Sequence, residues 1–475
     1  MTDSKFYKFL QCLQAKELKR FRKYLESPYF NANTSILRLY EVFEDHLLSR
    51  VRVPLTKEIV WQNIYPDETF DYAKLRKLLH NLMDLAYDFL GQQIYDESQT
   101  EKANCLLQML SNKQMVDYIP NFMQSGIQLL NNQQNRNGSY YYDLYSIEKY
   151  KYTLANVEGS RVNKMNLQNL NLNAIDEYLN IFFISEKLRN YCLLLSWSKM
   201  IDINSNLIFL NEVLNYITEL PYYNLPAIKI YHTIYLTFKE PDELNHFYQL
   251  KQIIKEHLHV FPPTEARDIV NSAINYTIQK QNKGVLQFAQ ENFELWEHSL
   301  KTDVILINGE LSPWAFKNII TLALRLGKYT WVERFIWDYG HKINILYREN
   351  AINYNLASLY FYQKDYDKVI PLLQKVQFDE QTYGLGAKSI LLASYYELDE
   401  FDPLFSHIES FKAFVKRSKS ITNDRKISYL ELNKFTKALT SFRHDKNSLH
   451  KLRSTIEQSQ TASKNWLLEK IDELL

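Results

Sequence analysis

The sequence predicts an all-α fold, namely an α-solenoid of stacked helical hairpins that follows an N-terminal helical domain. The first observation behind this prediction is a repeat, because the pattern formed by Tyr360 and Asp367 returns 35 residues later as Tyr395 and Asp402. A period of this length is typical of arrays in which each hairpin buries its apolar face against the next. The second is the scarcity of glycine, which occurs ten times in 475 residues, whereas β-rich barrels and nucleotide-binding loops need it for tight turns.

Residues 1–95 are predicted to form the N-terminal helical domain. Apolar residues recur there with the three- and four-residue spacing of one helical face. The five apolar stripes begin at Phe6, Leu18, Ile36, Ile59 and Leu75. Pro28, Pro54 and Pro66 separate the last four stripes, and Gly91 is predicted to end the fifth helix because glycine is common just past a helix C-terminus.

Residues 96–220 are predicted to be an irregular helical segment. Their apolar spacing stays helical, but the units differ in length. The polar run 131–139 has the composition of a surface loop. Residues 179–195 are dense in Ile, Phe, Leu and Tyr, which predicts a helix buried on most sides.

Residues 221–475 are predicted to form regular helical hairpins that end in a C-terminal capping helix. Pro226, Pro263 and Pro313 stand where helices are predicted to begin, and Gly284 and Gly327 stand where they are predicted to end. Proline suits the first turn of a helix and glycine the position after its end, so this punctuation marks hairpin boundaries independently of the apolar spacing. A terminal unit must cover the last apolar face of an array. The capping residues are predicted to be Trp466, Leu467, Ile471 and Leu474.

The motifs that would indicate an enzyme, a cofactor or a metal are missing from the sequence. It contains no G-x-x-x-x-G-K loop and no G-x-S-x-G elbow, so we predict no nucleotide cofactor and no catalytic activity. The three cysteines lie far apart, and His257 and His259 would project from different faces of a helix, so we predict no metal site. A formal net charge of +1, no apolar run of membrane-spanning length and no signal-peptide pattern predict a cytoplasmic protein without a membrane partner.

The segment 314–397 resembles the tetratricopeptide repeat (TPR), whose unit is a helix-turn-helix of 34 residues. In the unit 350–380, Leu356, Ala357 and Tyr360 match the packing positions of the first helix, and Asp365 and Tyr366 match the turn. The unit 385–415 and an earlier unit around 319–332 match in the same way. Two departures are Val369 and Val376, which replace the usual alanines, and a third is Pro371 inside a second helix. The whole chain is also similar to bacterial helical-repeat proteins, a similarity that implies no activity.

The resemblance implies a superhelix whose concave face, built from first helices, binds a protein or peptide partner. By family position, the partner-binding residues on that face would be Lys317, Thr321, Arg325, Tyr354, Ser358, Tyr362, Ser389 and Glu397. The alternative is that these residues are solvated helix positions, since a helix exposes its polar face whether or not anything binds there. The leading hypothesis is therefore a non-catalytic interaction scaffold or adaptor.

The alternative function is a nucleic-acid-binding regulator that uses the basic N-terminal helices. Two clusters of cations occur on predicted helices, and the expected nucleic-acid contacts are Lys16, Lys19, Arg20, Lys23, Lys74 and Lys77. The short predicted helix before residue 66 and the longer one after it have the order of a helix-turn-helix. The simpler interpretation is again a solvated polar face above an apolar stripe.

Overall fold

The structure is a computed structural model that describes residues 1–49, 54–162, 171–198, 208–377, 383–418 and 421–475. Across these ranges every regular element is a helix, and the β-structure amounts to one isolated bridge between Ile307 and Glu310. The prediction of an all-α fold is confirmed. The chain divides into two compact units, residues 1–183 and residues 184–475, and the boundary falls within a helix.

The first unit contains eight complete helices and the first part of a ninth among its described residues. They are α1 (Lys5–Cys12), α2 (Ala15–Glu26), α3 (Thr34–Leu48), α4 (Lys57–Ile64), α5 (Tyr72–Glu97), α6 (Gln99–Asn112), α7 (Ile119–Asn132), α8 (Gly138–Val162) and α9 (Leu172–Ser198), which crosses the unit boundary. Polar side chains begin several of them: Ser4, Thr56 and Asp71 each accept a backbone N–H of the first turn.

Helices α1–α5 pack around one core, with α3 contacting α1, α2, α4 and α5. Its centre is Phe21, whose ring lies 5.2 Å from that of Tyr40 and 5.0 Å from that of Phe89. Burying such rings contributes about 1.5–3 kcal/mol each relative to leaving them exposed, so this aromatic cluster stabilises the bundle together with the aliphatic residues around it. All five helices predicted before residue 95 are present.

The predicted helix end at Gly91 is wrong. Helix α5 continues through Gly91 to Glu97, and Ser98 both ends α5 and caps α6 by accepting the backbone N–H of Glu101. Gly91 does not have the positive φ that favours glycine at a helix end, and a Cβ built there meets no atom within 4 Å. Glycine is only a weak helix breaker, at about 1 kcal/mol relative to alanine, so the packing of α5 outweighs it.

The second unit begins within α9 and continues through fourteen further described helices. They are α10 (Leu210–Tyr216), α11 (Pro226–Lys239), α12 (Leu244–His257), α13 (Pro263–Asn282), α14 (Phe288–Lys301), α15 (Pro313–Arg325), α16 (Tyr329–Gly340), α17 (Ile345–Tyr362), α18 (Tyr366–Gln374), α19 (Gly384–Glu397), α20 (Phe401–Arg417), α21 (Asn423–Ser441), α22 (Lys446–Gln458) and α23 (Lys464–Leu474). The predicted proline starts are confirmed at α11, α13 and α15. The turns after α13 and α15 place Gly284 and Gly327 at φ of +88° and +70°, where a glycine is favoured.

The extensive helix contacts of the second unit join helices that are one or two places apart along the chain. Each of α11 to α22 packs against the helix that follows it, and α11 with α13, α15 with α17, α17 with α19 and α21 with α23 also pack together. Helices α17 and α19 are buried around most of their circumference because neighbours cover both sides. At the C-terminal end, Leu467 and Ile471 of α23 are buried in one cluster with residues of α19 to α22.

Candidate functional site

Helix α15 carries the candidate site on the side opposite its buried stripe. Ser312 accepts the backbone N–H of Ala315 at 3.1 Å, and Pro313 occupies the first turn, so the sequence fixes where α15 begins. Phe316, Ile319 and Ala323 are fully buried. The other side of the helix presents Trp314, Lys317, Thr321 and Arg325, which follow one another at intervals of three and four residues. We call these four residues the α15 face.

Lys317 lies among aromatic rings at the edge of the α15 face. Its half-buried ammonium group is 5.4 Å from the ring centroid of Tyr354 and 5.7 Å from that of Tyr383. The Tyr383 hydroxyl donates a hydrogen bond of 3.0 Å to the Pro313 carbonyl, which ties this ring to the start of α15. Burial lowers the pKa of Lys317, and the positive charge of Arg425 on α21 lowers it further. Lys317 is therefore held beside two aromatic rings at the edge of the α15 face, where the charge of Arg425 also acts on it.

Tyr354 and Ser358 are buried on α17, with exposed fractions of 6% and 8%. The Ser358 hydroxyl donates to the Tyr354 carbonyl at 2.9 Å, and burial raises the pKa of Tyr354 to about 12. A partner could reach Lys317 and Arg425 from solvent more directly than it could reach Tyr354 or Ser358.

The remaining residues of the predicted concave face differ in their exposure and in their hydrogen bonds. Thr321 and Ser389 are half-buried, and each hydroxyl donates to a carbonyl of its own helix. Thr321 donates to the Lys317 carbonyl at 2.8 Å, and Ser389 donates to the Leu385 carbonyl at 2.9 Å. Arg325 and Tyr362 are exposed at the ends of α15 and α17.

Glu397 is held inside the second unit. Its carboxylate accepts hydrogen bonds from Trp466 Nε1 at 2.7 Å and Lys470 Nζ at 3.1 Å, both on α23. The structure thus brings Lys317 and Tyr354 together, keeps Thr321 and Arg325 on the same helix, and engages Glu397 with α23.

A cleft of about 200 Å³ opens beside the α15 face. Its walls come from α13, α14, the connecting segment 302–312 and the start of α15. They include Val270, Trp296, Val304, Ile305, Ile307, Trp314 and Ala315. The guanidinium of Arg267 donates to the Leu306 carbonyl at 2.9 Å, so it fixes the connecting segment against α13. Trp314 is 61% exposed at this site, and Ile307 is 54% exposed.

Sequence reasoning missed Trp314, Tyr383 and Arg425. Trp314 precedes Lys317 by three residues, so helical spacing alone could have placed it on the same face. No local pattern connects Tyr383 to α15, since Tyr383 follows its partner Pro313 by 70 residues. Arg425, whose charge acts on Lys317, likewise lies far in sequence from any repeat motif that contains Lys317.

The predicted nucleic-acid contacts fall into two separate groups in the first unit. Lys16, Lys19, Arg20 and Lys23, which we call the α2 stripe, are exposed on one face of α2. Arg20 donates to the Gln93 side chain at 2.8 Å, near the C-terminal end of α5. Lys74 and Lys77 are exposed near the N-terminal end of α5. Along the helix, Lys74 is roughly 28 Å from Gln93 at a rise of 1.5 Å per residue. Lys74 also forms an ion pair of 2.7 Å with Glu68. The two groups do not form one recognition helix.

Two searches of the structure bear on cofactors and membranes. Among the residues that the structure describes, no three His, Cys, Asp or Glu side chains gather in a way that could hold a metal ion. Over the same residues, no helix has both the length and the apolar character needed to cross a bilayer.

Comparison with known proteins adds no relative, because no family model, curated protein or solved structure matches this chain.

Proposed function

We propose that the protein is a non-catalytic interaction scaffold that binds a segment of another protein along the α15 face. The observation that carries this proposal is the combination of exposed Trp314, the half-buried cation Lys317 beside two tyrosine rings, and the adjacent cleft. Aromatic residues and arginine are enriched in protein interfaces and provide much of their binding energy.

The helix order of the second unit supports a TPR-like solenoid as the framework for this scaffold. Helical hairpins that contact mainly their sequence neighbours are what a linear array requires. Within this proposal, α13, α15 and α17 supply the binding side, and α23 closes the C-terminal end. The placement of Glu397 against α23 supports a capping role for that residue in place of partner contact.

The proposal is tested by affinity capture from a native lysate with the full chain. Thr321→Arg combined with Arg325→Glu changes bulk and charge on the α15 face while leaving its buried side intact. We expect a partner recovered by the wild-type chain to be lost with this variant, and to be retained by Trp337→Ala, which alters an exposed tryptophan on α16. Recovery at the wild-type level with an unchanged helical circular-dichroism signal would exclude the α15 face.

Nucleic-acid binding is the second candidate function, and the exposure of all four cations of the α2 stripe on one face favours it. The full chain is titrated with duplex DNA and with an RNA hairpin at several salt concentrations. If the α2 stripe contacts phosphates, affinity should fall steeply as salt rises, and Lys19→Glu with Lys23→Glu should abolish it. Lys74→Glu with Lys77→Glu tests separately whether the other two predicted contacts, on α5, contribute to binding. The absence of binding at low salt would eliminate this function.

A further inference from the structure

The dipeptide Asn-Gly occurs twice in the sequence, at positions 137–138 and 308–309. We propose that Asn308 is a site of spontaneous covalent modification, at which the side-chain amide of the native protein is converted to a carboxylate through attack by the backbone of Gly309. Asn137 has the same neighbour, but the fold protects it. This inference goes beyond the proposed function and does not depend on it.

The reaction needs water and the two residues themselves. The backbone nitrogen of Gly309 attacks the side-chain Cγ of Asn308, a nitrogen–carbon bond forms, and the side-chain nitrogen leaves as ammonia with the proton of the attacking nitrogen. Water then opens the resulting succinimide ring at one of its two carbonyls, which yields either aspartate or isoaspartate. Nothing is oxidised or reduced, and the chain gains one negative charge. Glycine favours the attack because it has no Cβ beside its nitrogen.

Residues 307–310 form a tight hairpin turn around this dipeptide. Ile307 and Glu310 exchange two backbone hydrogen bonds of 2.9 Å each. Between them, Asn308 and Gly309 have φ values of +53° and +79°. Two successive residues with positive φ are typical of a type I′ turn, for which Asn-Gly is a preferred sequence. The local sequence therefore places the reactive pair at the tip of the turn.

The tip of the turn is open to solvent. Asn308 and Gly309 are exposed, and so are the two residues that close the turn. A Cβ built on Gly309 meets no atom within 4 Å, so neighbouring side chains leave room for the asparagine to move. Ring closure requires its side chain to swing against the next backbone nitrogen, so the turn has to open briefly. That opening costs the two bonds between Ile307 and Glu310, and segments with few buried contacts open at low free energy.

The chain on either side of the turn is held in place, so the opening stays local. Before the turn, the Leu306 carbonyl accepts a hydrogen bond of 2.9 Å from Arg267 on α13. After it, the backbone N–H of Leu311 donates to the Lys342 carbonyl at 2.9 Å. Helices α14 and α15 need not separate for the tip to rearrange. The folded protein can therefore reach the reactive geometry.

Asn137 and Gly138 provide the contrast within the same chain. Asn137 is 5% exposed, and Gly138 is buried as the first residue of α8. Attack at this site would require the first turn of α8 to unwind and leave its packing, which is a larger local unfolding than the opening of a two-bond turn. The two dipeptides have the same chemistry, so a difference in their rates measures what the fold does.

The two products change the turn differently. Aspartate also suits the first central position of a type I′ turn, so it keeps the turn and adds a carboxylate two residues before Glu310. Isoaspartate adds one carbon to the backbone, so Ile307 and Glu310 can no longer pair in the same register. Ile307 lines the cleft beside the α15 face, and isoaspartate therefore alters a wall of that cleft.

The test is peptide mapping of the full chain during incubation in a mildly alkaline buffer at physiological temperature. Trypsin releases residues 302–317 and 137–149, and each peptide contains a single asparagine and no glutamine. The small mass gain that accompanies replacement of NH2 by OH therefore identifies the site, and chromatography separates the aspartate and isoaspartate forms. We expect Asn308 to convert about tenfold faster than Asn137, or more, in the folded chain. In concentrated urea the two rates should become similar, because neither dipeptide is then folded.

Asn308→Gly is the matched variant, because Gly-Gly also suits a type I′ turn but has no side-chain amide. During the same incubation, ion-exchange chromatography of the intact protein should show an acidic species that forms more slowly in this variant than in the wild type. Acidic species that form at the same rate in both chains would overturn the proposal. Equal conversion of Asn308 and Asn137 in the folded chain would do so as well. So would a folded chain that stays unmodified at Asn308 while the urea-unfolded chain reacts there.

Discussion

The indole nitrogen of Trp466 donates a hydrogen bond of 2.7 Å to the carboxylate of Glu397, and Lys470 lies 3.0 Å from the same carboxylate. The Glu397 side chain is 12% exposed and that of Lys470 is 5% exposed, so this is a nearly buried ion pair. It links α19 to the last helix across about seventy residues of sequence. Such a pair makes removal of one partner costly, because the other charge stays buried without compensation.

Lys470→Met should therefore destabilise the second unit by about 3–5 kcal/mol. The measurement is urea unfolding of the full chain followed by circular dichroism and tryptophan fluorescence. Lys451→Met, which changes an exposed lysine on α22, is the control and should have little effect. Adding Glu397→Leu to Lys470→Met should recover part of the loss. If Lys470→Met alone lowers the free energy of unfolding by less than about 1 kcal/mol, the pair behaves like an exposed ion pair, which would contradict its role as a buried stabilising pair.

Tyr40→Phe should destabilise the first unit by about 1–3 kcal/mol. Tyr40 is fully buried, and its hydroxyl lies 2.8 Å from the Glu44 carboxylate and 3.0 Å from the Leu18 carbonyl, so the variant removes the one O–H donor that these two acceptors share. Tyr29→Phe is the control, because Tyr29 is 89% exposed. Equal unfolding midpoints for the two variants in urea would show that the buried hydroxyl contributes nothing.

Gly386→Ala should destabilise the second unit by about 1–3 kcal/mol through overpacking. A Cβ at this position would overlap the Tyr354 hydroxyl and lie 3.2 Å from its Cζ. Gly91→Ala is the opposite case, since its Cβ meets nothing within 4 Å and lies inside α5, so it should stabilise by about 0.5–1 kcal/mol. Thermal unfolding of both variants measures whether each substitution stabilises or destabilises the protein. Stabilisation by Gly386→Ala would mean that α17 and α19 are further apart than described.

The stability of the second unit should fall as the pH decreases from about 6.5 toward 4, in part through His407. Burial lowers the pKa of His407 to about 4, and its Nε2 is 2.8 Å from the Lys388 carbonyl. Between these pH values the unfolded chain binds a proton that the folded chain does not, and this costs at most about 1.4 kcal/mol per pH unit. The same direction applies to His232 and His298, whose pKa values burial also lowers.

His407→Gln isolates the contribution of His407. The variant should show a shallower loss of stability with falling pH, measured from urea midpoints at several pH values. His341→Gln, which changes an exposed histidine, should keep the wild-type slope. If the stability of His407→Gln falls with pH as steeply as that of the wild type, the proton is taken up by a group other than His407.

Local signals in the sequence were sufficient to predict most of the helices. The spacing of apolar residues predicted α1 to α5, and Pro263 and Gly284 bracket α13 because each acts on the backbone within a turn of itself. The end of α5 was predicted wrongly from Gly91, because the packing of a long helix outweighs the weak preference of one residue. The solenoid arrangement and the partner stay predictions.

The candidate site could be predicted only in part, because its groups come from distant parts of the chain. The resemblance placed Lys317, Thr321 and Arg325 on one face by family position, and in the structure they lie on one face of α15. The hydrogen bonds from Tyr383 to Pro313 and from Trp466 to Glu397 depend on how distant helices fold back, and no pattern within a repeat encodes that. A residue that matches a family position can thus be engaged by a helix outside the repeat.

Contacts between helices close in sequence also determine how the second unit is expected to fold. Short loops are closed at little entropic cost, so neighbouring hairpins such as α17 and α18 can form before distant parts of the chain meet. Unfolding of the second unit should start at a terminal helix such as α23, which has neighbours on one side only. The hydrogen bond from Trp466 to Glu397 should therefore limit fraying from the C-terminus, which would expose the buried Leu467 and Ile471.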